Sequence, residues 1–400
     1  MRLAIAGARP VRATLLPLTR PWMDDAEANA AAGAVRHQQL IGAGAIGLRV
    51  EAALAAALDG ARPLLMNSCT SALEAAVLLS GAGSGDEVLL PSFTFVSCGN
   101  AVVRAGARPV FVDIDPDTLN IDPAAIARAI TPRTRAIIVV HYAGRACDMG
   151  PILGLAARHG IKVIEDAAHA LGARWNGRAL GTVGDYGCFS FHGTKDVVCG
   201  EGGALVCRAD SDRARAEVLR EKGTNRAAFL RGDVDKYTWI AEGSSLIASD
   251  VLAAILEVQI ARLPAILSRK RALAVRLSDA LQPIAARATL PREWAGIESS
   301  WHLYPLLVPP PVRDDVLAAL RAENIGAAFH YVPLHDSPYA RAAFGDPPPL
   351  PVTGHVSASL VRLPLFAAMS DGDLDDVAEA TIKVVQHFVA PGGARPNDRH

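Results

Sequence analysis

The stretch Phe189–Gly203, FSFHGTKDVVCGEGG, sets one lysine, Lys195, among aromatic and small residues. A lysine amine attacks a carbonyl only after losing its proton, so a reactive lysine sits where burial or a carbonyl partner disfavours the ammonium. The alternating run Tyr186 to Phe191 predicts a strand with Ser190 and His192 on the face opposite Phe189 and Phe191, and Lys195 just past its end. Gly200, Gly202 and Gly203 allow a left-handed turn or a close backbone approach before a second buried strand, GALVC. Taken alone, Lys195 reads as a solvated lysine in a hairpin loop, the commoner fate of that residue.

A second stretch upstream, KVIEDAAHALGA, changes the reading. Lys162 to Glu165 predicts a short apolar strand that delivers Asp166 at its carboxyl end, where open α/β sheets place their ligands. A lysine and a carboxylate at two such strand ends suit pyridoxal 5′-phosphate, the lysine joining its aldehyde and the acid keeping its ring nitrogen protonated. A helix N-cap before AAHAL is the other role open to Asp166. Asn67 to Ser71 form a polar turn ahead of an amphipathic helix, with Thr70 and Ser71 as phosphate contacts or, alternatively, a simple capping turn. Phe93 and Phe95 follow the strand EVLL, where a ring stacks on a flat cofactor or packs in the core.

These residues need a scaffold of repeated strand, polar loop and helix units. GDEVLLPSFTFVSCGNAVVRAGARPVFVDID, RAIIVVHYAG and HGIKVIEDAAH each carry that pattern, which predicts parallel βαβ units and an α/β fold. VFVDI and AIIVV are apolar on both faces, as a sheet covered on both sides requires. A long helix is expected from Ser249 to about Leu281, and the less regular remainder predicts a smaller α+β domain. The expected organisation is a weakly ordered arm over residues 1–20, a large domain over 21–258, a small domain over 259–389 and a disordered tail over 390–400.

Composition limits the alternatives. A net charge of −1, with no basic block and no zinc-type cysteine spacing, argues against nucleic acid and against a metal centre. The six cysteines contain no C-x-x-C pair, which predicts reduced thiols in a cytoplasmic protein. No run reaches the roughly 18 consecutive apolar residues of a membrane span, so no membrane partner is expected. The first strand is not followed by G-x-G-x-x-G, which leaves a dinucleotide site without support.

Together NSCTSAL, PSFTFVS, VFVDIDPDTLNID, VIEDAAHALGA, FSFHGTK and GEGG resemble, in order and spacing, the DegT/DnrJ/StrS sugar aminotransferases over Pro17 to Val389. That resemblance implies the pyridoxal-phosphate fold of aspartate aminotransferase, fold type I, with a mostly parallel seven-stranded sheet. It implies Lys195 as the lysine carrying the cofactor, Asp166 at the pyridine nitrogen, His169 near the ring hydroxyl, Thr70, Ser71 and Ser190 at the phosphate, and Phe95 stacked on the ring. EKGTNR, RGDVDKYTW, GSS and FHYVPLH look most like the branch that aminates dTDP-4-dehydro-6-deoxy-D-glucose with L-glutamate, giving dTDP-4-amino-4,6-dideoxy-D-galactose and 2-oxoglutarate. His330, Tyr331 and His335 then belong to the sugar-nucleotide site. Lys236 and Tyr237 fall where related enzymes reach the diphosphate of the neighbouring subunit, which implies a homodimer with active sites at its interface.

Two residues depart from the family pattern. Ile247 stands where many members place asparagine or arginine to reach the partner's cofactor phosphate, with Ser244 and Ser245 as substitutes, and Asp196 follows the lysine where asparagine is usual. The alternatives are amination to the gluco epimer or of a 3-keto sugar, and a non-catalytic pyridoxal-phosphate-binding regulatory protein. Loss of the lysine or the aspartate would mark the latter, and both are present. Lys195 also argues against the related dehydratases, which resemble this pattern but carry histidine there.

Overall fold

The computed structural model describes residues 2–392, so residues 393–400 of the expected tail lie outside the described residues. In chain order the strands are β1 (Leu64–Met66), β2 (Glu87–Pro91), β3 (Arg108–Val112), β4 (Thr134–Val140) and β5 (Lys162–Asp166). A short hairpin follows, β6 (Arg174–Trp175) and β7 (Arg178–Ala179), and then β8 (Tyr186–Ser190) and β9 (Gly203–Cys207). Seven of these form one sheet in the order β1-β9-β8-β5-β4-β2-β3. Pairing is parallel from β3 across to β8, and β9 alone runs against both of its neighbours.

Alternation along the strands sends neighbouring side chains to different cores. Leu89, Ile137, Val139 and Val163 join one apolar cluster, while Val88, Leu90, Ile138, Val140 and Ile164 join another that also holds the helix Cys69–Leu79. A sheet covered on both faces explains why AIIVV is apolar throughout, each fully buried isoleucine or valine contributing about 1.5–3 kcal/mol.

The helix Asp250–Ala280 connects this sheet to a second body. Ser249 caps it, and Asp250 accepts the Ile46 and Gly47 N–H groups at 3.2 and 3.1 Å, tying its start to that of the helix Ala45–Ala57. Ala253, Leu256, Ile260 and Leu263 pack on the sheet side, whereas Leu273, Ala274 and Leu277 pack in a separate core with Tyr304, Val361 and Val384. By length and composition this helix could cross a membrane, but its apolar side is occupied by these two cores.

The second body holds β11 (Tyr304–Leu307) paired antiparallel with β12 (Leu360–Leu363), and the helices Arg313–Ala322 and Asp371–Phe388. Before it, β10 (Ile297–Glu298) extends the β6–β7 hairpin. Residues 2–20 differ from the loose arm expected of them. Leu3 and Leu16 are buried in the second core, and the Ala4 and Val11 N–H groups bond to the buried Glu323 carboxylate at 2.9 Å. Their lack of any helical or strand period hides this, because two leucines and two backbone donors do the anchoring.

Candidate active site

The carboxyl ends of β2, β5 and β8 converge on one cavity of about 600 Å3. β5 ends in the buried Asp166, whose Oδ1 accepts the Ala168 N–H at 3.0 Å and whose Oδ2 accepts the Cys98 thiol at 3.0 Å. Both oxygens are thereby aimed before any ligand arrives. β8 ends in Ser190, after which the backbone folds into a tight loop. The Gly193 N–H bonds Gly200 O at 2.9 Å, the Lys195 N–H bonds His192 O at 2.8 Å, and the Cys199 N–H bonds Phe191 O at 2.8 Å. Gly200 sits at φ +95°, a conformation that favours glycine. Phe191, Val197 and Cys199 are buried and hold the loop from below, which leaves Lys195 lining the cavity.

Burial of its amine pulls the Lys195 pKa below the ordinary lysine value, with the Asp166 carboxylate acting in the opposite direction. His169 is held well below the usual histidine value, first by burial and then by Lys195, His302 and His330, so its ring is neutral. Its Nδ1 is buried without a hydrogen-bond partner, and its Nε2 lies 3.5 Å from the Tyr331 hydroxyl.

Ser68 is the N-cap of the helix Cys69–Leu79, accepting the Ser71 N–H at 3.1 Å. First-turn N–H groups have no partner inside a helix, so those of Cys69 and Thr70, both lining the cavity, are open to an anion. Ser71 does not line the cavity, and its hydroxyl is 3.0 Å from Ser68 Oγ. Thr70 does, with its Oγ1 2.7 Å from Ser97 Oγ. The two phenylalanines after β2 divide the roles open to them. Phe93 is buried against Tyr142 and Tyr331, while Phe95, 56% exposed, stands on the cavity wall.

His330 and Tyr331 also line the cavity, their rings stacked at 3.7 Å, and His330 Nδ1 lies 2.9 Å from the Tyr142 hydroxyl. His335 does not; its Nδ1 is 2.6 Å from Ser92 Oγ, in a buried contact behind the wall. Lys236 and Tyr237 are exposed and lie outside this chain's cavity, as do the exposed Ser244 and Ser245. Ile247 packs over Gly42. Asp196 is engaged by Lys270 and His302. Ser97, Thr194, His302 and Arg362 line the cavity without having been singled out in the sequence. The one visible signal among them is an arginine inside the apolar strand LVRL, and that is Arg362.

The model of the DegT/DnrJ/EryC1/StrS aminotransferase family matches residues 21–382. The chain belongs to this family. Among its relatives, the spore coat polysaccharide biosynthesis protein SpsC of Bacillus subtilis is 38% identical over 342 residues, 83% of this chain and 87% of SpsC. The aminotransferase TlmJ of Streptoalloteichus hindustanus superposes with a TM-score of 0.86 at 33% identity, covering 93% of this chain and 99% of TlmJ. Spr1654 of Streptococcus pneumoniae, solved in apo, PLP and PMP forms, matches in its PLP form with a TM-score of 0.86 at 25% identity, over 93% of this chain and 99% of its own.

This DegT-family chain is a pyridoxal-phosphate-dependent sugar aminotransferase with the aminotransferase fold. Its donor set suits the cofactor group by group. Open N–H groups with the Thr70 and Ser190 hydroxyls would take the phosphate, the Lys195 amine the aldehyde, and Asp166 the ring nitrogen. The unpartnered Nδ1 of His169 leaves a polar atom free for the ring hydroxyl.

Proposed function

We propose that this aminotransferase moves the amino group of L-glutamate to carbon 4 of dTDP-4-dehydro-6-deoxy-D-glucose, giving dTDP-4-amino-4,6-dideoxy-D-galactose and 2-oxoglutarate. The observation that carries the reading is the meeting of Lys195, Asp166 and His169 in one cavity that also receives an open helix N-terminus. Pyridoxal phosphate, when bound, supplies the electron sink that lets an amino group leave the donor and enter the ketone. Lys195, its amine biased toward the neutral form, takes the proton from the donor's α-carbon and in the second half-reaction delivers one to carbon 4 of the sugar. Asp166 would hold a proton on the ring nitrogen of the bound cofactor, and the Cys98 thiol keeps Asp166 aimed.

Arg362 is the only arginine lining the cavity and has no acid partner among the described residues, its Nε donating to Phe329 O at 3.0 Å. Its guanidinium suits a carboxylate of the donor. Exposed Phe229, Tyr237, Trp239 and Ile240 leave apolar surface near Lys236. This supports a homodimer in which Lys236 and Tyr237 serve the partner's sugar nucleotide. The spore-coat polysaccharide role in SpsC's name supports a place in surface-polysaccharide synthesis.

The test mixes purified enzyme, glutamate and the 4-dehydro sugar nucleotide and follows cofactor absorbance with product mass. Ring-proton couplings in the product separate the galacto epimer from the gluco epimer and from a 3-amino sugar. Lys195→Ala is expected to abolish turnover and covalent retention of the cofactor; wild-type turnover by that variant would remove the assignment. No turnover by the parent with any keto sugar, despite bound cofactor, is the result a regulatory protein would give.

A further inference from the structure

Beside Lys195 the chain carries a second carboxylate, Asp196, drawn into the protein with only 17% of its side chain exposed. Its Oδ1 accepts the Lys270 ammonium, and its Oδ2 lies 3.1 Å from His302 Nδ1. Lys270 projects from the helix Asp250–Ala280, is 1% exposed, and bonds the His302 carbonyl as well, at 3.0 Å. A buried ammonium costs several kcal/mol unless it is paired, so this lysine and this carboxylate require one another. His302 lines the cavity, its ring 4.3 Å from that of His169 with 31° between the planes. Burial drives the His302 pKa down to about 4 although Asp196 pulls it upward, so the ring is neutral. The Nδ1–H that donates to Asp196 leaves Nε2 as a bare acceptor.

We propose that Lys270, Asp196 and His302 form a positioning unit, which cancels the negative charge next to Lys195 and locks His302 in one neutral tautomer on the cavity wall. The groups around Lys195 show why cancellation matters. Asp166 faces it from the end of β5 and His169 from just past it, Cys69 from the helix start, Arg362 from β12, and His302 and His330 from the second body. Asp166 and, after it, Asp196 favour a proton on the Lys195 nitrogen, and without Lys270 the Asp196 charge would act on the amine in full. Lys270 returns an equal positive charge to the same spot. Although Asp196 is buried, Lys270 and His302 hold its carboxyl well below the usual range, so the cancelled state is the ionised pair. The unit also joins the Lys195 loop, the long helix and the segment before β11, three parts that share no strand pairing.

Absorbance of the resting holoenzyme, titrated with pH in the absence of donor and sugar, reads the proton on the Lys195 nitrogen in its linkage to the cofactor. Lys270→Met is expected to move the midpoint up, and Asp196→Asn to move it down, each on the order of one pH unit. The double variant D196N/K270M, which removes both charges, should return within about 0.3 unit of the parent, since its net local charge is unchanged. Single variants that shift in the same direction or not at all overturn the proposal, as does a double variant as displaced as Lys270→Met. Should Lys270→Met fail to fold, Asp196→Asn and the double variant decide by the same criteria. Because neither substrate is present, failure here leaves the sugar reading standing.

Discussion

Replacing Glu165 by glutamine tests how β5 and β8 are held in the register that brings Asp166 and Lys195 together. Glu165 points away from the cavity and is fully buried. Its Oε1 accepts the Val183 and Gly184 N–H groups at 2.7 and 2.6 Å, and its Oε2 accepts the Gly181 N–H and His141 Nε2–H, both at 2.8 Å. The Cys147 N–H donates to His141 Nδ1 at 3.2 Å, which places the imidazole proton on Nε2. One carboxylate thus gathers four donors and pins the turn that leads into β8. Glutamine has the same shape but puts an NH2 group against two of them. Two hydrogen bonds to a charged group, at about 1.5–3 kcal/mol each, are lost, so Glu165→Gln should cost about 3–6 kcal/mol. Urea unfolding of the cofactor-loaded protein at neutral pH, followed by circular dichroism, measures this as a lower midpoint at unchanged slope. Cofactor affinity should fall with it, because β8 carries Ser190 and leads to Lys195. A loss below about 1 kcal/mol, the worth of one ordinary hydrogen bond, would refute the account of this anchor.

Acid should destabilise the fold through its neutral buried histidines. His302 is lowered to about 4, His330 to about 2 and His169 well below 6.5, so their contribution is complete above about pH 6.5 and is lost as pH falls toward those values. The slope is at most about 1.4 kcal/mol per pH unit for each histidine, and His302→Gln should remove one such share between pH 6.5 and 4 in urea titrations. In Gly203→Ala a Cβ would sit 2.3 Å from the Ser68 carbonyl carbon and 2.4 Å from Cys69 N. Displacing that helix start should cost about 1–3 kcal/mol and weaken cofactor binding in a fluorescence titration. Cys98→Ala removes the donor to Asp166 Oδ2 and should weaken cofactor binding about 3- to 10-fold, whereas Cys98→Ser, which keeps a donor, should restore it.

Much of this site is local in sequence and was legible for that reason. Asp166 ends one short strand and Lys195 follows another, and strand ends at one edge of a parallel sheet face the same space. Thr70 was marked by its hydroxyl-rich turn, though Ser68 takes the capping role and draws Ser71 away from the cavity. Position alone left Phe93 and Phe95 equivalent and only the family resemblance picked Phe95; packing sends Phe93 inward. His302 and Arg362 escaped notice because they come from the second body, brought to the cavity by contacts far apart in the chain. The same holds for Lys270, which inside a long helical run looks like any solvent-facing lysine until its burial is seen. His335 shows the converse, a histidine in a polar segment whose ring is spent on Ser92.

The helix Asp250–Ala280 acts as a common axle, its first turns seated on the sheet and its last turns in the other lobe. Swinging the lobes apart would have to bend or unwind that shaft. Pro264, which lacks an N–H for the preceding turn, sits near the change from one seat to the other and is the cheapest place for it to yield. Passage of a sugar substrate is therefore expected to leave the two lobes fixed relative to one another while the axle stays straight.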